Sequence, residues 1–405
     1  MKAIVNAQIE TITRGRICDG AVVFDESGIK AVGKAVSIPE GAVIIDAQGK
    51  VVTPGLIEAH SHAGLYEDGF PADGDYNEVT DPITPHLQAV DGFKPGDTGT
   101  LEAAASGVTA MYISQGSANV ICGIGAVVKT WGISFGDQVV NSAAGMKMAL
   151  GENPKRVYGT KDKTPSTRMG VAALLRKTLT EARNYQAKKA YYSRKSDEKE
   201  PFAADLKLEA VARLLNGELK ARCHAHRAID MLTFMRIADE FGFKYSFEHA
   251  TECVQILDEL KRRDIPVVIG PTVGSRSKVE VFHKTFRSVA KAVEAGLTVA
   301  ITSDHHVTPM KYLPVYAALA VREGLSPDDA LKTLTINPAK ILGVEDRLGS
   351  IEEGKDADLV VWSGDPLDAR NRAERVFIKG RELPQDLMAG DLLPGFEPWN
   401  PQYRS

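Results

Sequence analysis

His60 and His62 close the run Gly49-Lys-Val-Val-Thr-Pro-Gly-Leu-Ile-Glu-Ala-His-Ser-His. One residue apart on an extended segment, two imidazoles point to the same side and can share one metal ion. Such a pair alone is a weak signal, and its company strengthens it. His224 ends the strand-like Ala221-Arg-Cys-His, His249 ends Tyr245-Ser-Phe-Glu-His, and Asp304 ends Thr298-Val-Ala-Ile-Thr-Ser-Asp. Four separate strands thus each deliver a ligand-type side chain at their carboxyl end, where barrel active sites lie. Nitrogen and oxygen donors suit zinc first, with iron or manganese as alternatives, one or two ions per subunit. A metal of this kind brings the pKa of bound water to about 7. Asp304 beside that water is the expected general base and acid; its plain alternative is a helix N-cap.

The elements that must position these groups alternate short apolar runs with amphipathic helical stretches. Candidate strands are Gly55 to Ala59, Val108 to Ser114, Gly145 to Leu150, Ala221 to His224, Lys244 to Glu248, Pro266 to Gly270 and Leu297 to Thr302, with helices such as Met169 to Ala190 and Ala228 to Phe241 between them. This rhythm predicts a (β/α)8 barrel over residues 55–345, a doubly wound open sheet being the runner-up. Short β segments and glycine turns mark both ends of the chain. They predict a small β-sandwich domain composed of residues 1–54 and 346–405.

Two stretches break the rhythm. Gly64 to Gly99 carries Glu67, Asp68, Asp73, Asp75, Glu78 and Asp81, and in a barrel it would overlie the catalytic face or simply be a solvated acidic loop. Tyr158 to Arg168 is rich in Lys, Thr and Ser and reads as a lid.

With 49 basic and 53 acidic residues, the net charge of -4 gives no electrostatic case for nucleic acid or an anionic membrane surface. A small amide substrate fits better. No apolar run is long enough to span a bilayer and the N-terminus lacks a signal-peptide core, so a cytoplasmic protein is expected. Cys18, Cys122, Cys223 and Cys253 form no CxxC pair and read as reduced thiols. Barrels of this size often self-associate, so a homo-oligomer stays open.

Pro54-Gly-Leu-Ile-Glu-Ala-His-Ser-His, His224-Ala-His, Glu248-His249, Thr302-Ser-Asp304 and the tail from Asn337-Pro-Ala-Lys to Gly349-Ser-Ile-Glu-Glu-Gly-Lys-Asp-Ala-Asp-Leu-Val-Val resemble the amidohydrolase superfamily, in particular its imidazolonepropionase-related and prolidase-like branch. The resemblance covers nearly the whole chain. It implies a metal-carrying barrel flanked by a β-sandwich, and hydrolysis of carbon–nitrogen bonds in cyclic or linear amides or dipeptides. It also implies His60 and His62 as first-strand ligands, His224 as the fifth-strand ligand, His249 as the sixth and Asp304 as the eighth. Binuclear members join their metals through a carboxylated lysine or a glutamate. Gly145-Met-Lys147-Met-Ala-Leu-Gly-Glu152 offers both, and Glu152 is favoured because it needs no modification.

Substrate-reading residues are less constrained. His226 could face the metal or the substrate, or simply begin a helix. Arg168 and Arg276 follow strand-like segments and could clamp a carboxylate, or pair with acidic neighbours on the surface. His305 is a candidate pocket residue beside Asp304, as is His306. The expected activity is metal-dependent hydrolysis of an amide C–N bond. A prolidase-like dipeptidase, requiring a clamp such as Arg168 or Arg276, is one alternative; a non-catalytic metal-binding barrel subunit is another.

Overall fold

The computed structural model describes residues 1–68, 74–194 and 202–389. Asp73 of the acidic loop and residues 390–405 of the expected terminal domain lie outside them. The chain opens with β1 (Lys2–Glu10), β2 (Arg16–Asp25), β3 (Gly28–Gly33), β4 (Val43–Asp46) and β5 (Val51–Pro54). The barrel follows as β6 (Leu56–Ser61), β7 (Val108–Ile113), β8 (Ile121–Lys129), β9 (Val139–Ala149), β10 (Ala221–Ala225), β11 (Tyr245–His249), β12 (Val267–Ile269) and β13 (Val299–Ile301). Three strands close the described chain: β14 (Leu359–Trp362), β15 (Ala373–Ile378) and β16 (Arg381–Glu382).

Strands from both ends join one sheet in the order β16-β15-β14-β5-β1-β2-β3, with β4 also on β1. The junction is the antiparallel pairing of β5 with β14, Val52 opposite Val361. Ile4, Ile9, Val22, Phe24, Leu359 and Phe377 form its buried core. Hydrogen bonding thus links strands from both ends of the chain into one sheet.

The second sheet runs β13-β12-β11-β10-β9-β8-β7-β6 and curls until β13 lies beside β6, giving a nearly closed eight-stranded barrel. β6, β7 and β10 are buried at every position, as strands covered on both faces must be. One feature departs from the predicted eight βα units. β8, absent from the sequence reading, pairs antiparallel with both β7 and β9. A parallel crossover needs roughly a dozen residues, usually including a helix. The connections 114–120 and 130–138 are too short for that, so the chain turns back. β7 and β8 also approach closely, since a Cβ at Gly125 would come within 2.2 Å of the Tyr112 hydroxyl.

The barrel's seam is closed by side chains. The Thr302 hydroxyl donates to Glu58 Oε1 (2.6 Å) and to the His60 carbonyl (2.7 Å), and Ser303 donates to Glu58 Oε2 from both its amide (2.9 Å) and its hydroxyl (2.5 Å). Outside the barrel, the helix Arg168–Arg194 packs against Leu206–Leu215, whose N-cap Asp205 accepts from the Lys207 and Leu208 amides. Among the described residues no helix is long and apolar enough to cross a membrane. All four cysteines are free thiols.

Barrel and terminal sheet are tied by Lys129, wholly buried at the end of β8, whose Nζ lies 2.8 Å from Asp358 and 3.0 Å from Asp356. Replacing Lys129 by Met keeps the bulk but leaves the Asp358 carboxylate without its counter-charge, while Asp356 keeps Arg347, and breaking a buried pair costs about 3–5 kcal/mol. Urea denaturation of Lys129→Met should show a loss of that order. A loss below about 1 kcal/mol would mean that the tie is not holding the two parts together.

Candidate metal centre

Along β6 and the residue that follows it, the side chains of Glu58, His60 and His62 share one face by the two-residue strand period. β10 and the residue after it do the same with Arg222, His224 and His226. His249 and Asp304 arrive differently. Both have left-handed backbone, φ +71° and +54°, uncommon for residues with a Cβ and frequent where function over-determines the conformation. At β11 this turn lets two consecutive residues face inward: Glu248 reaches His60 Nδ1 at 3.2 Å while His249 joins the imidazole cluster.

The result is two buried groups, His60 with His62 and Asp304, and His224 with His226 and His249; within each, the ligand atoms lie within 4.8 Å of one another. Asp304 Oδ1 is 3.5 Å from His60 Nε2 and 3.4 Å from His62 Nε2. The groups adjoin, because the His249 ring centre is 4.9 Å from that of His60 and 4.4 Å from that of His224.

The donor set fits a divalent cation. The Nδ1 atoms of His62 and His249 lie 2.8 Å from the carbonyls of Ser114 and Gly270, which fixes the proton there and turns the Nε2 lone pair inward. His226 Nδ1 is likewise 2.8 Å from the Thr251 hydroxyl. Burial, reinforced by Lys147, pulls His60 down to about 4, and burial pulls His249 to about 3. His224 and His226 are also held well below the ordinary histidine value by burial and by their imidazole neighbours. Neutral imidazole is the ligand form. Burial alone would raise Asp304, but His249, His62 and His60 outweigh it and hold the carboxyl well below its usual range. Its Oδ1 is buried and accepts no hydrogen bond. A charged, unpaired oxygen facing two imidazole nitrogens is the arrangement that a cation completes.

Several expectations change. Lys147, on β9, stands in the cluster with Nζ 3.0 Å from His60 Nε2, and burial lowers its ammonium. Glu152, favoured above, opens the helix Glu152–Gly159, where its amide donates to Glu280, and it belongs to neither group. The extra residues after the strand carry it past the imidazoles, so of the two candidates only Lys147 lies against them. His226 joins the second group instead of serving only as a helix start.

Arg168 pairs with Asp230 through two bonds of 2.8 and 3.2 Å, and Arg276 is exposed with Nε donating to the Phe282 carbonyl. Neither lines the cavity above the centre, so the proposed clamps are corrected to a structural pair and a rim residue. His305 is buried behind the site, its carbonyl accepting from the His62 amide, and His306 takes the place facing the cavity. The His306 ring stacks on Tyr66 at 3.6 Å and meets the edge of Tyr76 at 5.1 Å. The long loop after β6 therefore contributes Tyr76 and Asn77 to the cavity, and none of its described acidic side chains.

Sequence reasoning missed Glu280. Only 2 % exposed, its Oε1 lies 3.9 Å from His224 Nε2 and 3.8 Å from His226 Nε2, and Lys278 donates to it at 2.8 Å. It sits in the single 3-10 turn Val279–Val281 after β12, too short to leave a periodic pattern to read. Glu58 and Glu248 were visible in their motifs, and the strand period could have assigned them to the barrel interior.

The sequence model of the amidohydrolase family matches residues 51–383. The chain is 31% identical over 377 residues to the amidohydrolase tasK of Hapsidospora irregularis, a match covering 85% of this chain and 38% of that much longer protein. It is 26% identical over 387 residues to an imidazolonepropionase of Cupriavidus taiwanensis, with 85% of each covered. The crystal structure of an amidohydrolase from Thermotoga maritima MSB8 superposes with a TM-score of 0.92 at 45% identity, covering 95% of this chain and all of that one.

Metal content separates the two bridging candidates. After chelation and reloading with Zn2+, Glu152→Gln should retain the wild-type metal content by elemental analysis, whereas Lys147→Met should lose about one equivalent, and Asp304→Ala should lose at least one. Full loading of Lys147→Met together with a deficit in Glu152→Gln would reverse the assignment.

Proposed function

Because this chain belongs to the amidohydrolase family, we propose that it is a metal-dependent hydrolase that cleaves the C–N bond of a cyclic or linear amide. The observation that carries this reading is Asp304. Its carboxylate is charged, buried, free of hydrogen bonds at Oδ1, and forms part of the lining of a cavity of about 590 Å3. That volume is in the range of small-molecule sites. A purely structural metal site has no need of such a group opening onto a cavity.

His60, His62 and Asp304 would hold one ion; His224, His226 and His249 would hold a second, and Lys147, in carboxylated form, would join them. Bound there, a divalent ion supplies electrophilic activation of a carbonyl and of a water. The chain's own residues do the rest. The Asp304 carboxylate takes a proton from the water as the water's oxygen bonds to the acyl carbon, then delivers it to the leaving nitrogen as the C–N bond breaks. The products are an acid and an amine. Glu248 and the carbonyls of Ser114 and Gly270 keep the imidazoles in orientation. Tyr76 and His306 form an aromatic wall that limits water and positions the acyl group.

The prolidase-like dipeptidase alternative called for a carboxylate clamp such as Arg168 or Arg276, and neither lines the cavity. A panel of cyclic amides, N-acyl amino acids and dipeptides, assayed before and after chelation, tests the proposal. At least one compound should be hydrolysed, activity should vanish on chelation and return with Zn2+ or Mn2+, and Asp304→Asn should lower kcat by roughly 10²-fold or more. Turnover indifferent to chelation or to Asp304→Asn would refute the mechanism. Inactivity on every compound would favour a binding subunit.

A further inference from the structure

The barrel has a second opening, at the end away from the imidazoles. Lys220, Lys244, Pro266 and Thr298 immediately precede β10, β11, β12 and β13, and they line a cavity of about 540 Å3 there. Its lining runs from the buried Arg222 and Ser246 to the exposed Lys340 and Asp264. That volume is in the range of small-molecule sites. Ala221 is the register partner of Tyr245, and its amide donates to the Lys244 carbonyl at 2.9 Å. Lys220 and Lys244 therefore leave neighbouring strands at one level, with backbones about 4.8 Å apart. The two-residue period turns them to the side of Arg222 and Ser246.

Little in the protein answers this charge. Among the described residues the side chains of Lys220, Lys244 and Lys340 make no hydrogen bond or ion pair. Two ammonium groups side by side on adjacent strands cost stability. Partial burial, then Arg222 and Lys244, hold the Lys220 ammonium below the ordinary lysine value, and Glu345 offsets only part of this. The Arg222 guanidinium is 1 % exposed and donates to neutral acceptors, Ser246 Oγ and the carbonyls of Ala144 and Ile341, while its Nε has no partner. Of the two carboxylates lining the cavity, Asp239 is taken by Arg263 through contacts of 2.6 and 2.7 Å. Only Asp264 is left against Lys220, Arg222, Lys244 and Lys340.

We infer that this floor cavity binds a phosphate group, as the free ion or as the monoester of a small molecule, with Lys220 and Lys244 as its principal contacts. Lysine ammonium groups are separate point charges, and a dianion with several oxygens around one centre accepts from each of them. A planar carboxylate is matched instead by a planar guanidinium fork. The cavity is larger than a phosphate ion, which leaves space for an organic part beside Thr298 and Asp264. Arg222, Ser246 and Glu248 stand between this cavity and the metal centre, with Ser246 Oγ accepting from Arg222 at 3.2 Å and donating to Glu248 at 2.6 Å. Binding at the floor thus requires neither the metal nor the hydrolase reading.

Calorimetry on the full-length, metal-loaded protein in phosphate-free buffer of low ionic strength tests this, with inorganic phosphate, ribose 5-phosphate, ribose and acetate as probes. Phosphate or its ester should bind about tenfold or more tighter than ribose and acetate. Lys220→Gln and Lys244→Gln should each weaken that binding by about tenfold, as expected for hydrogen bonds between charged groups. Neither variant should melt below the wild type when unliganded, since each loses a repulsive contact. Arg156→Gln, which alters the cavity above the metal centre, should leave the affinity unchanged, and so should chelation of the metal. An ester that binds more tightly than the free ion identifies the ester as the ligand; equal affinities identify the ion. Absence of binding by both phosphate compounds, acetate bound as tightly as phosphate, an affinity untouched by both floor substitutions, or one lost on chelation or in Arg156→Gln would overturn the inference.

Discussion

Glu58 is fully buried, and its carboxylate receives donors from the His60 amide, the Thr302 hydroxyl, and the amide and hydroxyl of Ser303. All of these lie on the seam where the first and last barrel strands meet without a backbone ladder. Burial still pushes Glu58 up to about 7, since Ser303 and Thr302 offset only part of the desolvation. The seam is therefore built from a group that is costly to bury and tolerable only with all its partners in place. His60 is two residues beyond Glu58, and Asp304 follows Ser303 directly. The separation of 3.5 Å between the His60 and Asp304 ligand atoms depends on the seam staying closed.

Below the cluster, the barrel is plugged by another buried polar group. The Arg222 guanidinium is 1 % exposed, bonds to Ser246 and to the carbonyls of Ala144 and Ile341, and lies 5.5 Å from the Tyr112 ring centre. Burial alone would raise Glu248, yet His60, Arg222 and Ser246 bring it down to about 2. The interior is thus a column of buried polar groups, from the Arg222 guanidinium through the Glu248 carboxylate and the neutral imidazoles to the Asp304 carboxylate. Removing water makes each contact stronger and each missing partner more costly. The column ends on an open cavity, where the remaining charge has no protein partner.

Much of this was legible in the sequence, and the limits are instructive. Strand periodicity was enough to put His60, His62 and His224 at the carboxyl ends of parallel strands, because side-chain direction along an extended chain is fixed by geometry. The same logic missed β8. Its connections are too short for a crossover, yet a reading tuned to βα units passes over an antiparallel insertion. The choice between Lys147 and Glu152 turned on reach. The short side chain at the strand's end was already committed to the next helix, while the long one inside the strand extended to the centre. Arg168 and Arg276 illustrate the other limit. Loop residues carry no period, so nothing in the sequence separates an arginine held by Asp230 from a lysine left unpaired in the cavity wall. His305 and His306 differ by one position, and only the left-handed turn at Asp304 decides which faces inward.

The central claim is that the two imidazole groups and Asp304 were assembled to hold divalent cations. Anomalous diffraction from crystals of the protein, recorded on both sides of the zinc, iron and manganese edges, tests it most directly. The account predicts a peak among His60, His62 and Asp304, with a second beside His224, His226 and His249. A map with no anomalous signal at either group, in crystals grown with saturating metal, would contradict it.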